Sequence, residues 1–407
     1  MNSEASNQPV DQQETQKIWT GTFVSLFITN MAFNMGFLMS NSLLSIYARS
    51  LGASVSAIGM LISVFSISSI LFRLIAAPVM DTYNRRYIVM FSTIMMAAAF
   101  FGFSISNDMS ALIVFRLIQG CGMAFGNSCC LAMVAETLPK DKYGTGIGYY
   151  SVAQVVAQAM GPPIGLWAVD LVGFRMTFAF TSCLMLIATL LAFRIKNKFQ
   201  RTKKLKLTFN NIIAKEAILP ASLMFLQHGG YVIVNSLLVI YSASLGVTAN
   251  IGLYFTVVAC TMLVTRPLVG RLTDRFGLVK VAVPALFCNV ASYFILSYST
   301  SLAGFLLSGF IAAFGQGACA PAVQALSMKS VKNERRGAAS STNFIGMDMG
   351  NLIGPSAAGR IAESFGYTTM WRTMTAPFIL AALVMLVFKK VIARIEDTFA
   401  SKPAANS

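Results

Sequence analysis

The segment Gly270-Arg271-Leu272-Thr273-Asp274-Arg275-Phe276-Gly277 stands between two long apolar stretches of the chain. A related segment, Ala77-Pro78-Val79-Met80-Asp81-Thr82-Tyr83-Asn84-Arg85-Arg86, holds the same position between apolar stretches in the first half. In each copy an arginine, Arg73 or Arg266, lies within an apolar stretch and precedes the aspartate by eight residues. Two such matches at one offset of 193 positions indicate that the chain contains two related halves.

The repeat extends well beyond these segments. Asn41-Ser42-Leu43-Leu44 returns as Asn235-Ser236-Leu237-Leu238 at an offset of 194, and Gly161-Pro162 returns as Gly354-Pro355 at an offset of 193. Such a duplication predicts two helical bundles related by an approximate two-fold axis along the membrane normal, with a cavity between them near the midplane.

Composition points to a bilayer as the solvent. The 407 residues are 56% apolar and only 11% charged. A spanning helix needs about 20 mostly apolar residues, because its backbone groups must be satisfied within the segment. The expected fold class is an all-α membrane protein with twelve transmembrane helices in two pseudo-symmetric six-helix bundles. The predicted spans are 18–47, 55–77, 87–107, 110–134, 144–168, 175–195, 217–243, 251–269, 280–298, 301–327, 337–361 and 370–391.

Basic residues predict the orientation. Of the 31 Lys and Arg, 24 lie on the side that holds the N-terminal tail, four lie on the opposite side and three lie within spans. The positive-inside rule therefore predicts cytoplasmic termini in a multi-pass protein of the plasma or inner membrane. We expect no cleaved signal peptide, because the first apolar run lacks a basic n-region and a small-residue cleavage site. We expect no nucleic-acid partner, because the basic residues lie between apolar spans and form no folded aqueous face. We expect a cytoplasmic tail over 1–17, an N-terminal bundle over 18–196, a basic linker over 197–216, a C-terminal bundle over 217–391 and a cytoplasmic tail over 392–407.

These motifs resemble those of the major facilitator superfamily. Residues 270–277 are similar to its cytoplasmic loop motif, and residues 77–86 are similar to a degraded copy of it. Arg116 with Gln119-Gly120-x-Gly122 resembles a pattern that the family links to proton coupling. Residues 157–165 resemble a signature of its drug and proton antiporters, although a second copy at 350–359 weakens that antiporter interpretation. The resemblance implies a twelve-helix transporter of the antiporter type.

The repeated loop segments suggest a latch between the halves. A carboxylate at a helix end can pair with an arginine and favour the positive N-terminus of a neighbouring helix, although Asp81 and Asp274 could instead only cap tight turns. The Gly-Pro segments suggest a bend at the interface between the halves, with a packing kink as the alternative. The candidate gating residues are Arg73, Asp81, Arg85, Arg86, Arg266, Gly270, Asp274, Arg275, Gly277, Gly161, Pro162, Gly354 and Pro355.

Polar groups at membrane depth are costly and are therefore candidates for function. Asp348 is the only carboxylate near the centre of a predicted span, which suits a proton carrier or the counter-ion of a cationic solute. The alternative is a structural carboxylate neutralised by an arginine or hydrogen-bonded to Asn343 or Asn351. Arg116 has a structural alternative too, as an arginine that snorkels or ties loops together.

The single histidine, His228, could couple protonation to binding, or it could be a satisfied group between helices. At the 194 offset Asn34 corresponds to His228, so the two could face one cavity. The candidate residues for substrate binding and proton coupling are Asn34, Arg116, Gln119, Gln154, Gln158, His228, Asn235 and Asp348.

The sequence predicts a secondary active transporter that acts as a monomer and exports a small organic solute by alternating access. We expect no cofactor and no metal, with H⁺ as the coupling ion. The alternatives are uptake of a small metabolite or organic anion by proton symport, and a non-transporting receptor of the same fold. A soft-metal transporter, suggested by Met31, Met35, Met39 and Cys129-Cys130, is less favoured because Met more often serves packing. No cluster of catalytic side chains supports an enzyme. The resemblance implies an acidic residue in span one, which many drug and proton antiporters of the family possess, and its absence here argues against efflux of cations.

Overall fold

The computed structural model describes residues 18–53, 55–193, 195, 212–247 and 251–401, and this part of the chain is helical without a β-strand. Its first four helices and the first four helices of the second half are continuous. They are α1 Gly21–Ser50, α2 Val55–Thr82, α3 Arg85–Ile105, α4 Met109–Thr137, α7 Ile218–Ser244, α8 Leu253–Phe276, α9 Leu278–Tyr298 and α10 Leu302–Lys329.

Two longer helices are each broken at a glycine. Tyr143–Phe193 breaks at Gly173, where φ is 77°, so we label its arms α5 (143–172) and α6 (174–193). Arg336–Thr373 breaks at Gly366, where φ is 80°. Its first arm is α11 (336–365), and α12 begins at 367 and continues through a turn into Ala376–Val387. Glycine is needed at both breaks because a Cβ strongly disfavours positive φ.

Ten stretches of the described chain are long and apolar enough to cross a membrane. The two longest, Lys140–Phe193 and Asn333–Val387, contain the glycine breaks and therefore cross twice each. The chain thus makes twelve crossings, and the predicted fold class is confirmed. The breaks at Gly173 and Gly366 are themselves 193 positions apart, so the repeat detected in the sequence is also a repeat of backbone conformation.

Helices α1–α6 form one bundle and α7–α12 the other. Within the first, α1 packs on α5, and α3 packs on α4 and the α5–α6 helix; within the second, α7 packs on α11 and α9 packs on α10. The bundles meet along two related seams, α2 against α11 and α5 against α8. Buried tyrosines tie corresponding helix ends, since the hydroxyls of Tyr47 and Tyr241 donate to the carbonyls of Ser106 and Leu296.

Both described chain ends lie on one side of the bundles, which we call the basic side; the opposite side is the far side. The predicted tail 1–17, the basic residues of the predicted linker from Lys198 to Lys206, and residues 402–407 lie outside the described residues. The predicted C-terminal tail holds most of a further helix, α13 Lys389–Ser401, which buries Ile392 and Phe399. Phe399 contacts Tyr143 of the other bundle, with ring centroids 4.8 Å apart.

Candidate functional site

An ion pair joins the two bundles at the α2–α11 seam. Arg73 Nε donates to Asp348 Oδ2 over 2.8 Å, and Ser69 Oγ donates to the same oxygen over 3.0 Å. Arg73 is 0% exposed and Asp348 is 7% exposed. Asp348 is twelve residues into α11, or about 18 Å along the helix from the basic side, because an α-helix rises about 1.5 Å per residue. The carboxylate singled out in the sequence is therefore bound to the opposite bundle near mid-depth.

Arg73 has two further contacts, although its NH2 has no hydrogen-bond partner among the described residues. Its NH1 donates to Ser128 Oγ over 2.8 Å, and its guanidinium lies 4.8 Å from the ring centroid of Phe344. Of the partners considered for Asp348, the arginine is the one found. The alternative of a hydrogen bond to Asn343 or Asn351 is not found among the described contacts of Asp348. Asn343 lies five residues earlier on α11, about 140° around the helix, and Asn351 lies against His228 instead.

Arg266 holds the related position at the α5–α8 seam, but its partners differ. It is 6% exposed, and its NH1 donates to the backbone carbonyl of Ser151. Its Nε has no hydrogen-bond partner, and no described carboxylate lies within 4 Å of it. The two related arginines therefore enter the opposite bundle at corresponding places, and only Arg73 meets an acid.

Further polar side chains lie beside Arg266. Gln158 on α5 donates to the hydroxyl of Tyr231 on α7, and the ring of Tyr231 meets that of His228 edge-on, with centroids 5.7 Å apart. Arg266 is close enough to His228 and Tyr231 to interact electrostatically with both. His228 Nδ1 has no hydrogen-bond partner, while Gln154, one turn from Gln158, is partly exposed. This group joins two predicted residues, His228 and Gln158, to an arginine that the sequence suggested only for gating.

Other predicted site residues lie elsewhere. The Arg116 guanidinium bonds Gln119 and, over 2.6 Å, the Asn41 oxygen, and it lies 4.6 Å from the Phe65 ring centroid, all within the first bundle. Arg116 is seven residues from the far-side end of α4. The amide of Asn34 donates within α1, to the carbonyl and side chain of Asn30. Asn235 belongs to α7, but its side chain lies outside what the structure describes.

The two repeated aspartates bridge the bundles on the basic side. Asp81 Oδ1 accepts from the backbone N–H of Gly337 over 2.8 Å, and Oδ2 accepts from Ala338 over 3.2 Å, at the start of α11. Asp274 accepts in the same way from Gly144 and Thr145, over 2.6 and 2.7 Å, at the start of α5. Donors and acceptors are both related by 193 positions. Each carboxylate thus faces the positive end of a helix dipole in the opposite bundle.

Arginines of the loop segments divide into two groups. Arg85 is buried, pairs with Glu136 and, over 3.4 Å, with Asp81, and donates to the Asn333 carbonyl of the other bundle. Arg86 instead lies over the Phe193 ring of its own bundle, and Arg275 over the Phe276 ring. For those two residues the structure shows no contact across the seams among the described residues.

Glycines allow the close approach at the α5–α8 seam. A Cβ added at Gly270 would lie 2.6 Å from the Gly144 carbonyl oxygen, and one at Gly148 would lie 2.7 Å from the Arg266 carbonyl oxygen. Gly277 has φ of 84°, which fits its place in the tight α8–α9 turn. The contacts at Gly270 and Gly148 are too short for any side chain larger than hydrogen.

The glycines of the two Gly-Pro segments pack against helices of their own bundles. A Cβ at Gly161 would lie 3.2 Å from Leu38 on α1, and Gly354 packs against the Gly229 backbone on α7. Pro162 and Pro355 lie inside the continuous parts of α5 and α11. Packing of these glycines within their own bundles favours the alternative of a packing kink, and a bend between the halves stays a prediction.

All described hydrogen bonds between the bundles lie between the basic side and mid-depth. The outermost joins Gln158 to Tyr231, and others join Arg336 to the Ala135 carbonyl and Ser340 to the Ser128 carbonyl, each over 2.7 Å. The protein is therefore closed on the basic side.

Several of these partners are missing from the sequence prediction. Ser69 lies one turn before Arg73, so an arginine and a hydroxyl four residues apart on a span were a usable signal. The sequence contains no comparable signal for Ser128, Tyr231 or Glu136, because their roles depend on which helices pack against each other.

Comparison with known proteins agrees with this architecture. The sequence profile described as Major Facilitator Superfamily matches residues 24–223 and 220–405. The multi-drug resistance efflux pump PmrA of Streptococcus pneumoniae is 25% identical over 350 residues, 83% of this chain and 88% of that protein. The multidrug resistance protein MdtG of Enterobacter lignolyticus is 26% identical over 400 residues, 94% and 92% of the two chains. The crystal structure of the human organic anion transporter MFSD10 has a TM-score of 0.78 at 16% identity, covering 90% of this chain and 99% of that one, and this likeness concerns the fold alone.

Proposed function

The chain belongs to the Major Facilitator Superfamily, and on that premise we propose that it is a secondary active transporter that exports a small organic solute in exchange for protons. The observation that carries the proposal is the buried Arg73–Asp348 ion pair across the α2–α11 seam. A carboxylate that can bind a proton and also holds the two bundles together links protonation directly to their relative position.

The exchange follows from the charge of Asp348. With the basic side facing the cytoplasm, a proton that arrives from the far side neutralises Asp348 and removes its attraction for Arg73. Loss of that attraction favours separation of α2 from α11 and opens the basic side. Release of the proton to the cytoplasm restores the ion pair and closes the basic side around a newly bound solute. One proton moving inward is thereby exchanged for solute moving outward.

The carboxylates Asp81 and Asp274 act as latches in this cycle. Each contributes on the order of 0.3–1 kcal/mol through the helix dipole, so the closed state is held by several modest contacts. A gate of this kind opens when one larger contact, the central ion pair, is lost.

Export, as opposed to uptake, is supported by the names of the relatives PmrA and MdtG, which are multidrug efflux and resistance proteins.

The test uses everted membrane vesicles whose interior is acidified by respiration. Three probes carry one 4-phenylbutyl group and end in a sulfonate, an alcohol or a trimethylammonium, so none of them carries a proton itself. Exchange predicts that a transported probe dissipates the pH gradient, and that vesicles with Asp348→Asn show no dissipation. In right-side-out vesicles without a gradient, probe-dependent alkalinisation of the medium would favour uptake by symport and contradict export.

A further inference from the structure

The two seams carry the same arginine in different chemical surroundings. Positions 193 residues from the partners of Arg73 are readily identified in the other seam. Asp348 corresponds to Val155, Ser69 to Met262 and Ser128 to Pro321. Each polar partner of the first arginine is therefore replaced by an apolar residue around the second. Arg266 keeps its charge and its burial, but its described hydrogen-bond partner is a backbone carbonyl, that of Ser151, and none of the three corresponding positions offers it a polar side chain.

The interior of the protein consequently holds excess positive charge. The described spans contain three arginines away from their ends, Arg73, Arg116 and Arg266, and one carboxylate, Asp348. Asp348 is committed to Arg73. A buried cation without an anion is costly because the surroundings solvate it poorly, and a bound anion would offset that cost.

Arg266 also lies at the interface between the two bundles. It contacts Ser151 on α5, and it lies near His228 and Tyr231 on α7, so three helices from both bundles converge on it. Ser151 occupies one guanidinium nitrogen, the Nε donor is unpartnered, and His228 Nδ1 is unpartnered too. Two nitrogen atoms without hydrogen-bond partners, Arg266 Nε and His228 Nδ1, thus belong to this group around one uncompensated positive charge.

We propose that the transported solute is an organic anion whose acidic group binds Arg266, with His228 and Tyr231 beside it. The proposal rests on the transport function proposed above and names its substrate class. Arg116, nearer the far side and likewise without a described carboxylate within 4 Å, extends the positive potential toward the side from which an exported anion departs. The same charge disfavours organic cations, because the single interior carboxylate is occupied.

The test measures binding separately from transport. The melting temperature of the purified full-length protein is recorded with the 4-phenylbutyl sulfonate, alcohol and trimethylammonium probes at equal millimolar concentration. We expect the sulfonate to raise the melting temperature most. Arg266→Gln should abolish that preference, Arg266→Lys should retain part of it, and Arg360→Gln, which changes an exposed arginine outside the seams, should leave it intact.

Contradictory outcomes are equally clear. A larger shift with the alcohol or the trimethylammonium, no shift with the sulfonate, or a sulfonate preference that survives in Arg266→Gln would overturn the assignment. Size-exclusion profiles identify any variant that fails to fold. If Arg266→Gln is such a variant, the sulfonate preference of Arg266→Lys is compared with that of the parent protein instead. Proton exchange driven by the neutral or cationic probe would contradict the anion site but not the proposed exchange. Binding of the anionic probe without any proton movement would contradict the proposed exchange but not the anion site.

Discussion

Arg73 on α2 and Asp348 on α11 are separated by 275 positions in the chain and by 2.8 Å in the structure. Both side chains are buried, and each belongs to a different bundle. A buried pair of this kind adds little net stability when intact but is expensive to break, because the remaining charge is left without a partner. It is therefore suited to act as a switch.

Asp348→Ala should destabilise the closed protein by about 3–5 kcal/mol, since Arg73 would remain buried and unpaired. Combining Arg73→Met with Asp348→Leu should recover most of that loss, while transport remains absent in both variants. The melting temperature and the proton-exchange assay separate the two effects. A double variant that is no more stable than Asp348→Ala would show that the ion pair is not the source of the cost.

Asp274→Asn should weaken the closed state on the basic side. The substitution keeps one of the two oxygens that accept from the Gly144 and Thr145 amides, replaces the other by an NH2 group, and removes the charge that faces the α5 dipole. A loss of about 1 kcal/mol corresponds to roughly a fivefold shift in population. Spin labels at exposed positions Asp141 and Arg275 would report the change in separation by pulsed electron resonance. Glu334→Gln, at an exposed acid on the same side, is the control, and an equal response to both substitutions would argue against a latch.

Gly270→Val should prevent the basic side from closing. Even a Cβ would lie 2.6 Å from the Gly144 carbonyl and 2.8 Å from Thr145 Cα, both backbone atoms that cannot rotate away. We expect lost transport with retained folding, because the open state does not require this contact. Gly359→Val is the matched control, since no heavy atom lies within 4 Å of its Cβ. If the spin labels at positions 141 and 275 report the same separation in Gly270→Val as in the closed parent protein, the prediction is wrong.

Docking of α13 should depend on pH through Glu396. Burial raises the pKa of this carboxyl above its ordinary 4.5, outweighing Lys329 and the Leu278 amide, which act in the opposite direction. Docking therefore takes up a proton, so it is strongest below pH 4.5 and weakens as pH rises through the raised pKa.

Hydrogen exchange of residues 389–401, normalised to intrinsic rates, would measure the effect. Glu396→Gln should remain docked across this range because it carries no charge and still offers an acceptor to Leu278. Asp397→Asn, an exposed neighbour, should keep the pH dependence of the parent protein. Identical pH profiles for Glu396→Gln and the parent would rule out this carboxyl as the cause.

The sequence was a good guide to features that depend on local physics and on duplication. Apolar segments of sufficient length must become spans in a bilayer, so the twelve crossings followed from hydropathy. The repeated Asp81 and Asp274 pointed to corresponding places, and the structure finds both at helix starts of the opposite bundle. Domain bounds near the termini stay predictions, because residues 1–17 and most of the linker lie outside the described part.

By itself, then, the sequence determined the class of fold, its two-fold repeat and the set of rare charges within the spans, because the bilayer penalises polar groups wherever they occur along the chain. Only the tertiary structure decided which of those charges lie beside a group of opposite charge. Arg73 and Arg266 are equivalent in the repeat, yet packing places Asp348 beside one and Val155 at the related position of the other. Pairing of side chains depends on contacts between helices that are distant in sequence, and no local pattern encodes those contacts.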